Sequence, residues 1–164
     1  MPCRRSCGVW SAQHNVVRIL AIDPGERRLG LAVSDPTGVI ALPLEVLERA
    51  GWAADLARLR RVIETHGVTE IVVGRPLTLR GEVGTQARAA ARFAARVRAA
   101  LALPVTEVDE RLTTAAAERA VREETPRGSR KRAAVTRRRR DAIAAALILQ
   151  PYLDRRRLTG PLRG

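Results

Sequence analysis

Between residues 16 and 49, three short apolar runs follow one another across turns too short for a crossover. "VVRILAID" meets "RLGLAVSD" across Pro24-Gly25-Glu26-Arg27, and that run meets "GVIALPLEVLER" across Asp35-Pro36-Thr37. Parallel neighbours need a connection of about a dozen residues or more. Three strands joined this tightly can therefore only be an antiparallel meander, and the rest of the chain has to build around it.

Beyond residue 49 the chain alternates helix and strand. Trp52 to Thr65 carries Leu56, Leu59, Val62 and Ile63 at helical spacing. "TEIVVGRP" is a short buried strand. "TQARAAARFAARVRAALAL" is helical, with Ala89, Phe93, Val97 and Leu101 on one stripe and Arg88, Arg92 and Arg96 on another. "PVTEVDER" is a fifth strand, after which Thr113 or Thr114 can cap a helix. Residues 125–139 are rich in Pro, Gly and Arg and read as irregular. "RDAIAAALILQPYL" is an almost wholly apolar helix that must lie against a sheet, burying Ala145 and Ile148. The order β-β-β-α-β-α-β-α-α describes an α/β protein with a mixed five-stranded sheet and helices on both faces. The first, fourth and fifth strands are expected to be mutually parallel.

At 164 residues the chain fits one domain with a single core. The domain is expected over residues 16–154, preceded by a disordered extension (1–15) and followed by a basic tail (155–164). No apolar run approaches the roughly 20 residues that span a bilayer, and no apolar segment follows Arg4 and Arg5 as in a secretory signal. A cytoplasmic protein without a membrane partner is expected. Cys3 and Cys7 lack the second pair that a zinc site needs.

Charge narrows the partner. Lys and Arg number 30 against 17 Asp and Glu, a net charge of +13. An Arg-rich and Ala-rich composition explains why Lys131 is the only lysine, but not the excess of positive over negative. Such an excess attracts polyanions, with nucleic acid the first candidate. Aromatic residues are only 2%, so contact with phosphates is favoured over base stacking. Eight basic residues fall between Arg127 and Arg140. Arg137, Arg138 and Arg139 among them are expected to hold phosphates, with mutual repulsion keeping the run from forming an ordered helix.

Three acidic positions fall where chain direction changes: Asp23 ends the first strand, Asp109-Glu110 ends the fifth, and Asp141 opens the last helix. Functional groups collect at the carboxyl ends of strands in α/β sheets. If the first and fifth strands run parallel and close together, Asp23 and Glu110 can meet, with Asp141 joining from above. Clustered carboxylates repel unless a cation neutralises them, and oxygen ligands suit Mg²⁺ or Mn²⁺ better than zinc. A pair of such ions can clamp the attacking and leaving oxygens of a phosphodiester. Each acid also has a plainer reading. Asp141 can complement a helix N-terminus, Asp109 and Glu110 can be solvated strand-end charges, and Asp35 fits a turn. His14 and His66 have no partner motif, and no chemistry is assigned to them.

The motifs "AIDPGERRLGLAVSD", "IVVGRPLTLRGEVGTQA", "VDERLTTAAAE" and "RRRDAIAAALILQPYL" together resemble the YqgF/RuvX family, in order and at fitting intervals over about residues 17–154. The resemblance implies an RNase H-like sheet of order 3-2-1-4-5, related to Holliday-junction resolvases. It also implies a metal-dependent nuclease that matures the 5′ end of the precursor 16S ribosomal RNA. Its partners would then be structured precursor rRNA within the small-subunit precursor, with branched DNA as the resolvase alternative. The family's acids map onto Asp23, Glu110 and Asp141, and Arg111 and Thr114 stand where it suggests substrate contacts. Arg75 departs from the pattern, standing where members commonly carry an apolar residue. A non-catalytic RNA-binding or ribosome-binding module is the other reading. No dimer seam is visible, so a monomer or weak homodimer is expected.

Overall fold

The computed structural model describes residues 17–75, 84–109 and 130–159. The expected meander is present: β1 (Ile19–Pro24) pairs antiparallel with β2 (Arg28–Ser34), and β2 pairs antiparallel with β3 (Ala41–Glu48). Helix α1 (Trp52–His66) leads to β4 (Glu70–Arg75), α2 (Thr85–Ala100) leads to β5 (Val105–Asp109), and α3 (Arg130–Thr159) closes the fold. β4 runs parallel to β1, and β5 parallel to β4. The sheet order β3-β2-β1-β4-β5 is the one expected for an RNase H-like domain. Among the described residues no helix is long and apolar enough to cross a membrane.

Strand alternation divides the core in two. Leu20, Ile22, Leu29, Leu31, Ile71 and Val73 face one side and pack with Leu59 and Val62 of α1 and Phe93 and Val97 of α2. Ile19, Ala21, Ala32 and Val72 face the other and pack with Ala145, Ile148, Leu149 and Leu153 of α3. Both faces are covered, so the central strands read as continuous apolar runs rather than an alternation. The stripe expected on α2 shifts by part of a turn: Ala87, Ala90, Phe93, Ala94 and Val97 are buried, whereas Ala89 is exposed.

The largest departure from expectation concerns α3. The segment expected to be irregular up to residue 139 is helical from Arg130, and the expected tail is helical as far as Thr159. Like charges four residues apart cost only a few tenths of a kcal/mol per pair. Arg is also a good helix former. Once the apolar half of α3 is fixed against the sheet, nucleation is already met and each added turn is propagation. Arg138 also pairs with Glu48 at the end of β3, at 2.5 Å. At the other end of the sheet, Glu70 at the start of β4 accepts hydrogen bonds from Tyr152 and Arg156, which fastens the C-terminal part of α3.

Candidate active site

Asp23 lies at the carboxyl end of β1, where the chain must turn within a few residues into β2. Gly25 makes the turn possible, because a Cβ there would stand 2.8 Å from the carbonyl oxygen of Arg28. The turn is fixed from outside by Arg49, which donates a hydrogen bond to the Gly25 carbonyl at 3.1 Å. Across the sheet, Asp23 is registered opposite Gly30 of β2. Gly30 is covered in turn by α3, at Asp141: a Cβ on Gly30 would fall 2.1 Å from the Asp141 carbonyl oxygen. One missing side chain thus lets α3 descend onto β2 beside Asp23.

Asp141 is not at a helix N-terminus. It sits about three turns inside α3, which removes the reading in which it merely complements the macrodipole. Its carboxylate is paired with Arg28 at 3.3 Å. Asp23, Gly25, Glu26, Arg28, Gly30 and Asp141 line a recess of about 260 Å³. Burial pushes the Asp23 carboxyl up to about 6, and the nearby charge of Asp141 adds to the rise. A second concavity, about 590 Å³, opens on the other side of the β1–β2 turn toward α2 and also includes Asp23.

The third acid of the expected set, Glu110, lies outside the described residues, as do Arg111 and Thr114. The first and fifth strands are parallel with β4 between them, as the expected order 3-2-1-4-5 has it. Asp109, opposite Arg75 of β4, ends β5 at the edge where β1 ends. Arg138 and Arg139 are exposed on α3, one of them engaged with Glu48. Arg137 is on the same helix, its side chain outside the described set. Asp35 has the turn role favoured by its neighbours. Its carboxylate accepts hydrogen bonds from the backbone N–H groups of Thr37, Val39 and Ile40, which hold it well below the usual carboxylate range.

Two features of the recess escaped the sequence reading. Nothing in the sequence singles out Arg28, and only the packing of α3 shows its pairing with Asp141. Gly30 carried a signal, since a glycine inside a strand marks a place where another backbone comes close.

Among the described residues no three His, Cys, Asp or Glu side chains form a group able to hold a metal ion. The two acids present suit a hard divalent cation nonetheless. They are oxygen donors, and Asp23 is a buried carboxyl whose proton affinity is raised first by burial and then by the charge of Asp141.

The model of a family described as "RuvX: Holliday junction resolvase" matches residues 17–155. The chain belongs to the RuvX family. RuvX relatives bearing the name "Putative pre-16S rRNA nuclease" include one from Koribacter versatilis, 46% identical over 146 residues that cover 89% of this chain and 91% of the relative. Another, from Chloroflexus aurantiacus, is 43% identical over 139 residues, 85% of this chain and 88% of the relative. Among solved structures, Thermus thermophilus RuvC in complex with a Holliday junction substrate is similar at 23% identity and a TM-score of 0.47. That likeness covers 85% of this chain and 95% of RuvC.

Proposed function

We propose that this RuvX chain is a divalent-cation-dependent nuclease that cuts phosphodiester bonds in precursor 16S ribosomal RNA, working in the cytoplasm on the small-subunit precursor. The observation that carries the reading is the convergence of Asp23 and Asp141 on one recess at the carboxyl edge of the sheet. The names carried by its relatives support the substrate.

Asp23, Asp141 and Glu110 would hold Mg²⁺ or Mn²⁺, two ions being the arrangement suited to phosphodiester hydrolysis. When bound, such ions neutralise charge on the attacking and leaving oxygens. The chain's own residues do the rest. The β1–β2 turn presents Asp23 from a rigid strand end, with Gly25 lining the concavities on both sides of it. α3 delivers Asp141, and Arg28 pairs with that carboxylate at 3.3 Å. Arg111 and Thr114 would contact substrate near the cut, while Arg137, Arg138 and Arg139 would hold more distant phosphates. No histidine or serine nucleophile is required.

The test offers purified protein structured precursor rRNA and a four-way DNA junction, with Mg²⁺ or Mn²⁺. Cutting of the RNA, abolished by Asp23→Asn, is the expected result. Cutting of the junction alone would make the chain a resolvase, which needs a two-fold dimer facing a symmetric substrate. Binding without cutting would make it a non-catalytic RNA-binding module.

A further inference from the structure

The larger concavity beside Asp23 has no part in the chemistry described so far. It lies between the β1–β2 turn and α2, and Arg49, Arg92 and Arg96 all reach it. Its volume of about 590 Å³ is within the range of pockets that take a small organic ligand.

Two of its arginines are held in place. Arg96 stacks over the Trp52 ring at 4.1 Å, and Arg49 lies over the Phe93 ring at 5.6 Å. Arg49 is further tied to the buried Asp55 at 3.3 Å. Among the described residues neither Arg92 nor Arg96 has a carboxylate within ion-pair distance. Arg96 is thus pre-positioned without an acidic partner, and its guanidinium and that of Arg92 are available to meet phosphate oxygens with a planar fork of donors. The first turn of α2 carries no acidic residue, and the acids that do line the cavity, Asp23 and Glu26, come from the end of β1 and the β1–β2 turn.

Thr85 and Gln86 line the pocket and can hydrogen-bond, but among the described residues it offers no open aromatic face on which a base could stack. Phe93 is buried, and the Trp52 face is already covered by Arg96. The ligand is therefore recognised chiefly through its phosphates rather than by base stacking.

We propose that this cavity holds the nucleotide next to the scissile phosphodiester, with Arg92 and Arg96 gripping its phosphate. Asp23 belongs to both concavities. A strand whose scissile phosphate sits in the smaller recess would thus place its neighbouring phosphate in the larger one. This rests on the nuclease reading only for the position of the cut. The binding itself does not depend on it.

The experiment measures binding of the full chain to a fluorescent single-stranded RNA in EDTA across a salt series, for wild type, Arg92→Gln, and Arg92→Ala with Arg96→Ala. Each lost phosphate contact should reduce the log–log salt slope by about 0.7. The two arginines share one phosphate, so the double variant should lose about one such step and the single variant a part of it. Arg92→Gln touches no aromatic ring, so its effect does not pass through packing. In Mn²⁺, a neutral methylphosphonate next to the cut should raise the KM of wild type severalfold and that of the double variant no further. An unchanged salt slope, or an equal methylphosphonate penalty in both proteins, overturns the proposal. Wild-type protein that cuts nothing while its slope still depends on Arg92 would overturn the nuclease reading and the placement beside a cut, leaving a phosphate-binding pocket.

Discussion

Gly30 of β2 stands directly beneath the backbone of Asp141: a Cβ at Gly30 would come within 2.1 Å of the Asp141 carbonyl oxygen and 2.7 Å of its carbonyl carbon. Gly30 is also the cross-strand partner of Asp23. The two acids are brought together by the absence of a side chain between them.

Gly30→Ala should therefore damage both stability and the site. The clash is with backbone, which cannot swing aside as a side chain would, and overpacking of this kind costs about 1–3 kcal/mol. Thermal denaturation should show a fall in Tm of several degrees. Cleavage should fall further than stability accounts for, because α3 must lift Asp141 away from Asp23. A variant with normal Tm and normal cleavage would show that this close approach does not matter.

Asp23 makes a pH prediction for protein in EDTA. Its carboxyl is pushed up to about 6, above the ordinary 3.8, so the folded chain holds this proton more tightly than the unfolded chain. That contribution is fully present below about pH 4 and is lost as pH rises through about 6, a change of at most about 3 kcal/mol. Asp23→Asn should flatten this part of the Tm–pH curve and leave the variant as stable as wild type or more so at neutral pH. Saturating Mn²⁺ should reverse the trend, since a bound cation favours the charged form. Identical Tm–pH curves for wild type and variant in EDTA would contradict the burial of an unneutralised carboxyl.

The Arg28–Asp141 pair predicts a competition. A guanidinium at 3.3 Å must yield before a divalent cation can share that carboxylate fully. Arg28→Gln should tighten Mn²⁺ binding severalfold in a calorimetric titration, with little change in Tm, because the pair is partly exposed. Weaker Mn²⁺ binding in the variant would mean that Arg28 orients Asp141 for the ion rather than competing with it.

For the arginine run, joint replacement of Arg137, Arg138 and Arg139 by Gln should lower the salt slope of single-stranded RNA binding by up to about 2. Arg138 is already engaged by Glu48, so Glu48→Gln alone should strengthen binding modestly. A slope unchanged in the triple variant would leave the run as solvated surface.

The meander and the βαβ units were legible because turn lengths and apolar runs are local signals. The tight turn at Pro24-Gly25 allowed only antiparallel pairing, and the buried faces of Leu59, Val62, Ala145 and Ile148 were all visible as periodicity. Asp23 could be placed for the same reason, at a strand end beside a glycine. The start of α3 was not legible, because charge repulsion between arginines is visible in sequence while the support lent by the buried half of the same helix is not. Arg28 and Gly30 were missed as site residues because their roles depend on a helix more than a hundred positions away. Arg92 and Arg96 were seen as a stripe, but the concavity beneath them exists only once α2 is docked beside the β1–β2 turn.

Because the arginine run and Asp141 share one continuous helix, their spacing cannot adjust. At 1.5 Å per residue, the backbone of Arg130 stands roughly 16 Å along the axis from that of Asp141. If the run holds a phosphate as proposed, α3 is a ruler as well as a scaffold: a phosphate gripped at one end would fix how far along the strand the acidic recess meets the next accessible bond.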